Sequence, residues 1–407
     1  MNQKKIRLLG ISLLILLSFA CSLFSSSQED SSPPTLAPTQ PATVPSLAPT
    51  PLPTQPSPIG VAAKSNGGVA LFDREGYTLV QVNAAGIADA GEENIHIAGR
   101  YTAESGNLPI VYFSFEQNNA FLFSNQGQLT TLLSVPDFAR MVGVPGEAIL
   151  AYSTTEYLAD GVGSSLYVGS VDTLPVAAPV FYEKSEDGWS LDPLAVKVEN
   201  GQPVGVWYSK YPNGIGGDIV FDPRRALFYL DLRTDTSSQL LGTEANPSAL
   251  SADQTWLAYT NEGAADAGVG TMTVKNLATG VTFSYPLQQV VDSRGAGDAV
   301  FSPENSYLAW MEGSGWQMSD TPNFHSTIRV GDLNGNLLFE LADSAFATVS
   351  GLGSVGRVEP VGWLDEQTLV VMVRGEDWIS AALVMVDIPT QAIRFLARGS
   401  FVGMVYP

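Results

Sequence analysis

From residue 69 to residue 396 the chain repeats one pattern: a short run of alternating apolar and polar residues, a polar turn, and a second such run. The copies are VALFDREGYTLVQV (69–82), AFLFSNQGQLTTLL (120–133), LYVGSVDTLPVAAPV (166–180) and LFYLDLRTDTSSQLL (227–241). Three more follow, MTVKNLATGVTFSYPL (272–287), IRVGDLNGNLLFEL (328–341) and LVMVDIPTQAIRFL (383–396). Alternation with period two puts every second side chain on one face, which predicts half-buried β-strands. Turns such as Ala278-Thr279-Gly280 and Asn334-Gly335-Asn336 supply the conformational freedom a tight hairpin needs. The copies start 45 to 61 residues apart. Long helices are not expected; the best short candidate is 136–142.

A second unit precedes several hairpins. Ser251-Ala252-Asp253-Gln254-Thr255-Trp256-Leu257-Ala258-Tyr259 and Ser302-Pro303-Glu304-Asn305-Ser306-Tyr307-Leu308-Ala309-Trp310 align residue for residue, and 363–371 is a looser third copy. Each is a turn leading into a strand, so one repeat supplies about four strands, the content of a propeller blade. The two good copies resemble the S-P-D-G-K-x-L-A-[FY] signature of WD40-like (PD40) repeats in TolB-type propellers. Gln254 and Asn305 stand where that signature has its turn glycine. The expected fold is all-β, a β-propeller of seven blades by hairpin count, with six, the usual number in TolB-type propellers, as the alternative. Residues 401–406 are expected to pair with strands near Ile59 and close the ring, since an open ring would leave two bare sheet edges. Two packed β-sandwiches would be the competing architecture, and a regular repeat along the whole body opposes them.

The N-terminus reads differently. Lys4, Lys5 and Arg7 precede an apolar run from Leu8 to Leu17, then Ser18-Phe19-Ala20-Cys21. This is the layout of a signal peptide, and the run is shorter than the roughly 20 residues of a membrane span. Ala20-Cys21-Ser22 resembles a bacterial lipobox, in which the cysteine is acylated and becomes the mature N-terminus. Ser18 and Phe19 depart from that family's preferred Leu and small residue. An ordinary secretory signal and an uncleaved anchor are the other readings. Residues 31–58 carry no charge and are rich in proline and threonine, a composition that disfavours a packed core and favours an extended, disordered linker. The expected organisation is therefore 1–20 signal peptide, 21–58 linker and 59–407 propeller.

Composition narrows the chemistry. The 407 residues carry a formal charge of −21, and because the leader and linker hold three cations against two anions, the body holds −22. So acidic a body is a poor partner for nucleic acid. One cysteine and two histidines, His96 and His325, exclude an intrachain disulfide and cysteine- or histidine-rich metal sites, and no cofactor is expected. Gly351-Leu352-Gly353-Ser354-Val355-Gly356 satisfies G-x-G-x-x-G, but Pro360 opposes the helix that a dinucleotide site needs, so it reads as a loop. Ser354 lacks the nucleophile-elbow glycine and no histidine follows His325, which opposes Ser/His/Asp catalysis. Asp332-Leu333-Asn334-Gly335-Asn336 reads as a hairpin turn rather than a calcium loop. Asp89, Glu92 and Glu93 are the place for a chance calcium site. Catalytic residues are not assigned. Aromatics near glycine-containing loops, Trp207, Tyr208, Tyr211 and Trp316, are candidates for a ligand face, with Trp189 and Trp378 beside them.

The functional expectation is a non-enzymatic binding or scaffolding module, lipid-anchored through Cys21 to the outer side of a bacterial cell membrane, recognising an envelope protein, peptide or glycan. Its rivals are a carbohydrate-active hydrolase or lyase with an Asp/Glu pair roughly 5–9.5 Å apart, and an envelope assembly or sensory subunit.

Overall fold

The computed structural model describes residues 57–65, 68–82, 95–100, 110–114, 119–123, 129–134, 138–145, 147–213, 221–261, 270–289, 294–315 and 324–406, with backbone pairing alone for the strands between 95 and 139. Cys21, the leader, Asp89, Glu92, Glu93 and Trp316 lie outside these residues.

In chain order the strands are β1 (Gly60–Ser65), β2 (Gly68–Asp73), β3 (Thr78–Val82), β4 (Ile95–Arg100), β5 (Ile110–Ser114), β6 (Asn119–Phe123) and β7 (Leu129–Ser134). Next come β8 (Phe138–Gly143), β9 (Ile149–Leu158), β10 (Gly161–Ser170), β11 (Phe181–Ser185), β12 (Trp189–Glu199), β13 (Gln202–Pro212), β14 (Arg225–Asp231) and β15 (Thr236–Leu241). Then follow β16 (Ala245–Leu250), β17 (Trp256–Asn261), β18 (Met272–Asn276), β19 (Thr282–Ser284), β20 (Arg294–Phe301), β21 (Tyr307–Ser314), β22 (His325–Asp332) and β23 (Leu337–Ala342). The last are β24 (Arg357–Asp365), β25 (Thr368–Arg374), β26 (Ala381–Asp387), β27 (Ile393–Arg398) and β28 (Ser400–Val405).

They form seven four-stranded antiparallel sheets among the described residues, six from consecutive strands and one in the order β28-β1-β2-β3. In that mixed sheet Gly60 faces Val405 and Ala62 faces Gly403, so the end of the chain pairs with its beginning as expected. The first strands of successive sheets touch in the cycle β4, β8, β12, β16, β20, β24, β28 and back to β4. This is propeller architecture, and six of the seven expected hairpins are the outer pair of their sheets, the third matching only in its first strand.

Burial follows position in the sheet. β25 and β26 are covered on both faces, and their near-continuous apolar sequences TLVVMVR and AALVMVD are buried along almost their whole length. Outermost β15 reads TSSQLL and is largely exposed. The core lies between neighbouring sheets. Ile328, Val330, Val358, Val371 and Val384 pack between the sheets of β20–β23 and β24–β27, and Leu166, Leu191, Val206 and Tyr208 between those of β8–β11 and β12–β15. Fully burying one such aliphatic side chain contributes about 1.5–3 kcal/mol.

All seven first strands are irregular at one level. Register shifts fall at Ile97/Gly99, Phe138/Arg140, Pro193/Ala195, Pro247/Ala249, Gly297/Val300 and Pro360/Gly362, and between Gly403 and Phe401 on β28. A bulge bends its strand and re-aims the side chains beyond it. Pro193, Pro247 and Pro360 are tolerated because a first strand pairs on one side only.

The PD40-like segments are the turns between first and second strands. Gln254 and Asn305 have φ of 58° and 60°, so the left-handed conformation of the signature glycine is kept without the glycine. In the first turn Asp253 accepts from the Ser251 hydroxyl (2.6 Å), the Thr255 amide (3.0 Å) and the Thr255 hydroxyl (2.8 Å). In the second turn a carboxylate from the next sheet takes over. Glu366 accepts from the Ser302 hydroxyl (2.6 Å) and from the Glu304 (2.7 Å) and Ser306 (2.9 Å) amides.

Two local expectations are corrected. Of the expected helix at 136–142, residues 138–142 belong to strand β8, the first strand of its sheet, and the rest lies outside the described residues. Helix α1 is Ala347–Ser350, after a 3-10 turn at Asp343–Phe346. The third hairpin ends on β11 (181–185) instead of 176–180, where Pro175 and Pro179 cannot donate to a ladder. The glycine motif 351–356 is the loop from α1 to β24.

Candidate functional site

At and beyond the bulges, the first strands surround a cavity of about 600 Å³ on the ring axis. Val142 of β8, Leu194 of β12, Leu250 of β16, Phe301 of β20, Val361 of β24 and Met404 of β28 all line it. Each is half-buried, its apolar surface left partly open to the cavity. Concave, mainly apolar cavities of roughly 300–1,000 Å³ are the usual form of ligand sites.

The polar groups in the wall are mostly committed elsewhere. Gln254 accepts from the Trp207 indole N–H (2.8 Å) and donates to the Val196 carbonyl (2.9 Å). The Ser251 hydroxyl donates to Asp253 (2.6 Å) and accepts from the Trp256 amide (2.9 Å). Trp363 is 3% exposed and gives its indole N–H to the Val300 carbonyl at 3.2 Å. Burial pushes the Tyr406 phenol up to about 12, so it stays protonated. Glu147 and Asn200 are the exposed polar residues at the rim.

On the other side of the bulges the same strands carry charge. Asp192 of β12 accepts from the Arg224 Nε at 2.6 Å, and Arg224 also meets Asp222 at 3.1 Å. Arg225 donates to Asn246 of β16 (2.7 Å). Arg357 of β24 pairs with Asp298 of β20 at 2.8 Å and with Glu359 at 3.0 Å. Asp298 sits in its bulge with φ of 50°. Burial pushes its carboxyl up to about 7; Arg357 opposes the shift, while Glu359 and Asp222 add to it. Arg224 and Arg357 each bridge two carboxylates, and the negative charge of Glu359 and Asp222 favours the protonated form of buried Asp298. No group of three His, Cys, Asp or Glu among the described residues is placed to hold a metal ion.

Sequence and structure part over the aromatic candidates. Trp207 is 8% and Tyr208 1% exposed, because both lie on β13 facing a neighbouring sheet. Tyr208 shares a hydrogen bond with the Ser237 hydroxyl (2.6 Å) and stacks on Phe228. Their assignment to a ligand face is corrected: they are core residues. Tyr211, at the end of β13, is half-buried under the Arg140 guanidinium, 4.1 Å from the ring centroid. Trp189 is half-buried and Trp378 is 41% exposed. The cavity-lining aliphatics were missed because they look like ordinary strand core. Their signal was the PD40-like turns, which begin at the cavity rim.

No family model matches this sequence, and a search of curated proteins finds no match. Solved structures similar to it include TolB and other propeller-type proteins. A hypothetical selenium-binding protein from Sulfolobus tokodaii is 10% identical, with a TM-score of 0.54, covering 86% of this chain and 96% of its own. A prolyl endopeptidase is 11% identical, with a TM-score of 0.51, covering 85% of this chain and 50% of its own. TolB from Acinetobacter baumannii is 13% identical, with a TM-score of 0.41, covering 84% of this chain and 79% of its own. At such identities the likeness is one of fold alone. Among the described residues no helix is long and apolar enough to cross a membrane.

Proposed function

We propose that this chain is a seven-bladed propeller, held at the outer face of a bacterial cell membrane by lipid on Cys21, that binds an envelope protein, peptide or glycan without transforming it. The observation that carries the binding reading is the axial cavity. Six first strands offer it open apolar surface, and among the described residues its wall carries polar groups committed to bonds inside the protein. Peptide and glycan arrays probed with the purified chain test this reading: saturable binding that is lost in Leu250→Arg supports it, and binding unaffected by that change refutes the cavity as the site. For the anchor, Cys21→Ala is expected to abolish metabolic fatty-acid labelling and free the chain from the membrane fraction. Retained labelling would refute lipidation at Cys21.

One observation favours a hydrolase instead. Asp298, protonated up to about pH 7, lies near the Asp222 carboxylate, whose negative charge helps hold the proton on it, while the Asp222 backbone amide donates to it and pulls the other way. That is the kind of pairing a general acid needs. Chromogenic glycosides turned over by the wild-type chain but not by Asp298→Asn would establish this reading over the first.

A further inference from the structure

Resting on the reading of the chain as a binding module, we infer that the axial mouth receives a basic peptide segment that sinks an apolar side chain into the cavity. Leu194, Leu250, Phe301, Val361 and Met404 present half-buried apolar surface there, suited to an aliphatic or aromatic anchor. A sugar would be gripped poorly. Gln254 and Ser251 spend their hydrogen bonds inside the protein, and Trp363 is too buried to offer a stacking face.

Charge selects the flanks of that peptide. The ends of the first strands and the turns that follow them place Glu147, Glu199, Asp253, Glu304, Asp365 and Glu366 around this end of the ring. Nearby cations are already engaged: Lys197 and Arg233 each meet Glu199 at 3.4 Å, and Arg74 meets Asp365 at 3.4 Å. Asp253 is held by its own turn and Glu366 by the turn at 302–306 of the neighbouring sheet. Glu147 and Glu304 are exposed and make no ion pair among the described residues. Among the described residues the mouth is therefore an apolar pit with a net negative rim, complementary to an apolar residue flanked by lysine or arginine.

The test is fluorescence anisotropy of three labelled peptides with the purified full-length chain. The probes are Leu-Phe-Leu flanked by lysines, Leu-Phe-Leu flanked by glutamates, and Ser-Gly-Ser flanked by lysines. The first is expected to bind at least tenfold more tightly than either of the others and to weaken with added salt. Leu250→Arg should abolish that binding. Glu147→Lys combined with Glu304→Lys should weaken it at least fivefold while leaving the unfolding midpoint unchanged, since neither side chain bonds to the fold. Equal binding of the glutamate-flanked peptide overturns the charge argument, and equal binding of the Ser-Gly-Ser peptide overturns the anchor. If all three fail while a glycan binds at the cavity, this inference falls and the binding module stands; if no ligand binds and glycosides are cleaved, the binding module itself falls.

Discussion

The left-handed residues Gln254 and Asn305 occupy equivalent positions in two adjacent turns, yet glycine at the two sites should act in opposite directions. Both have φ near 60°, a conformation that costs an L-residue roughly 1–2 kcal/mol. Glycine removes that strain but returns about 0.5–1 kcal/mol to the unfolded chain as entropy. The backbone balance is small, so the side chains decide. Gln254→Gly loses bonds to Trp207 Nε1 (2.8 Å) and the Val196 carbonyl (2.9 Å), each contributing about 1 kcal/mol. It also strands the indole N–H of Trp207, which is 8% exposed, at a cost of about 1–3 kcal/mol. The expected net is destabilisation by about 2–3 kcal/mol. Asn305 makes no such clamp: its Oδ1 is buried without a partner, so Asn305→Gly removes a liability and should stabilise by about 1 kcal/mol. Equilibrium urea unfolding of both variants measures the two signs. In a Trp207→Phe background the penalty of Gln254→Gly should shrink by at least 1 kcal/mol, because the stranded donor is gone. Shifts of the same sign in the two glycine variants, or a penalty indifferent to Trp207, would refute the reasoning.

Glu366→Ala should destabilise by about 3 kcal/mol, since three hydrogen bonds to a carboxylate are lost from the neighbouring turn, and Glu366→Gln by about half as much; urea unfolding checks both. Arg74 donates to the Pro58 carbonyl at 2.9 and 2.7 Å and to the Leu364 carbonyl at 2.8 Å, so Arg74→Ala should speed amide exchange selectively in β1 and β28, and uniform exchange rates would contradict its role at the ring closure. Asp298, with its carboxyl raised to about 7, binds more protons folded than unfolded between about pH 4 and 7, so its contribution is full below pH 4 and is lost as pH rises through 7. The stability of Asp298→Asn relative to wild type should therefore rise between pH 5 and 8, by up to about 3 kcal/mol at roughly 1.4 kcal/mol per unit; a difference independent of pH would contradict the shift.

The hairpins were legible because their causes are local. Alternation, turn residues and spacing place all seven, and the pairing of 400–405 with 60–65 followed from the need to cover two sheet edges. The boundary of the third hairpin slipped because Pro175 and Pro179 interrupt an otherwise apolar run. The candidate site was scarcely legible. Trp207 and Tyr208 read as loop-proximal aromatics, but the packing of one sheet on the next buries them, and no local pattern encodes which sheet lies beside which.

The sequence by itself determined the strand inventory, the hairpin turns, the acidic body and the scarcity of cysteine and histidine, all properties of composition and short-range order. Tertiary structure alone decided the rest. It aligned seven bulges at one level, left apolar side chains open on one side and pairs of charges on the other, and let Glu366 satisfy a turn 60 residues away. It also raised Asp298, whose shift depends on burial and on Glu359 and Asp222, neighbours that only the closed ring brings together. The physical reason is common to all of these: the axial surface is assembled from one strand of each sheet, so no continuous stretch of chain contains it.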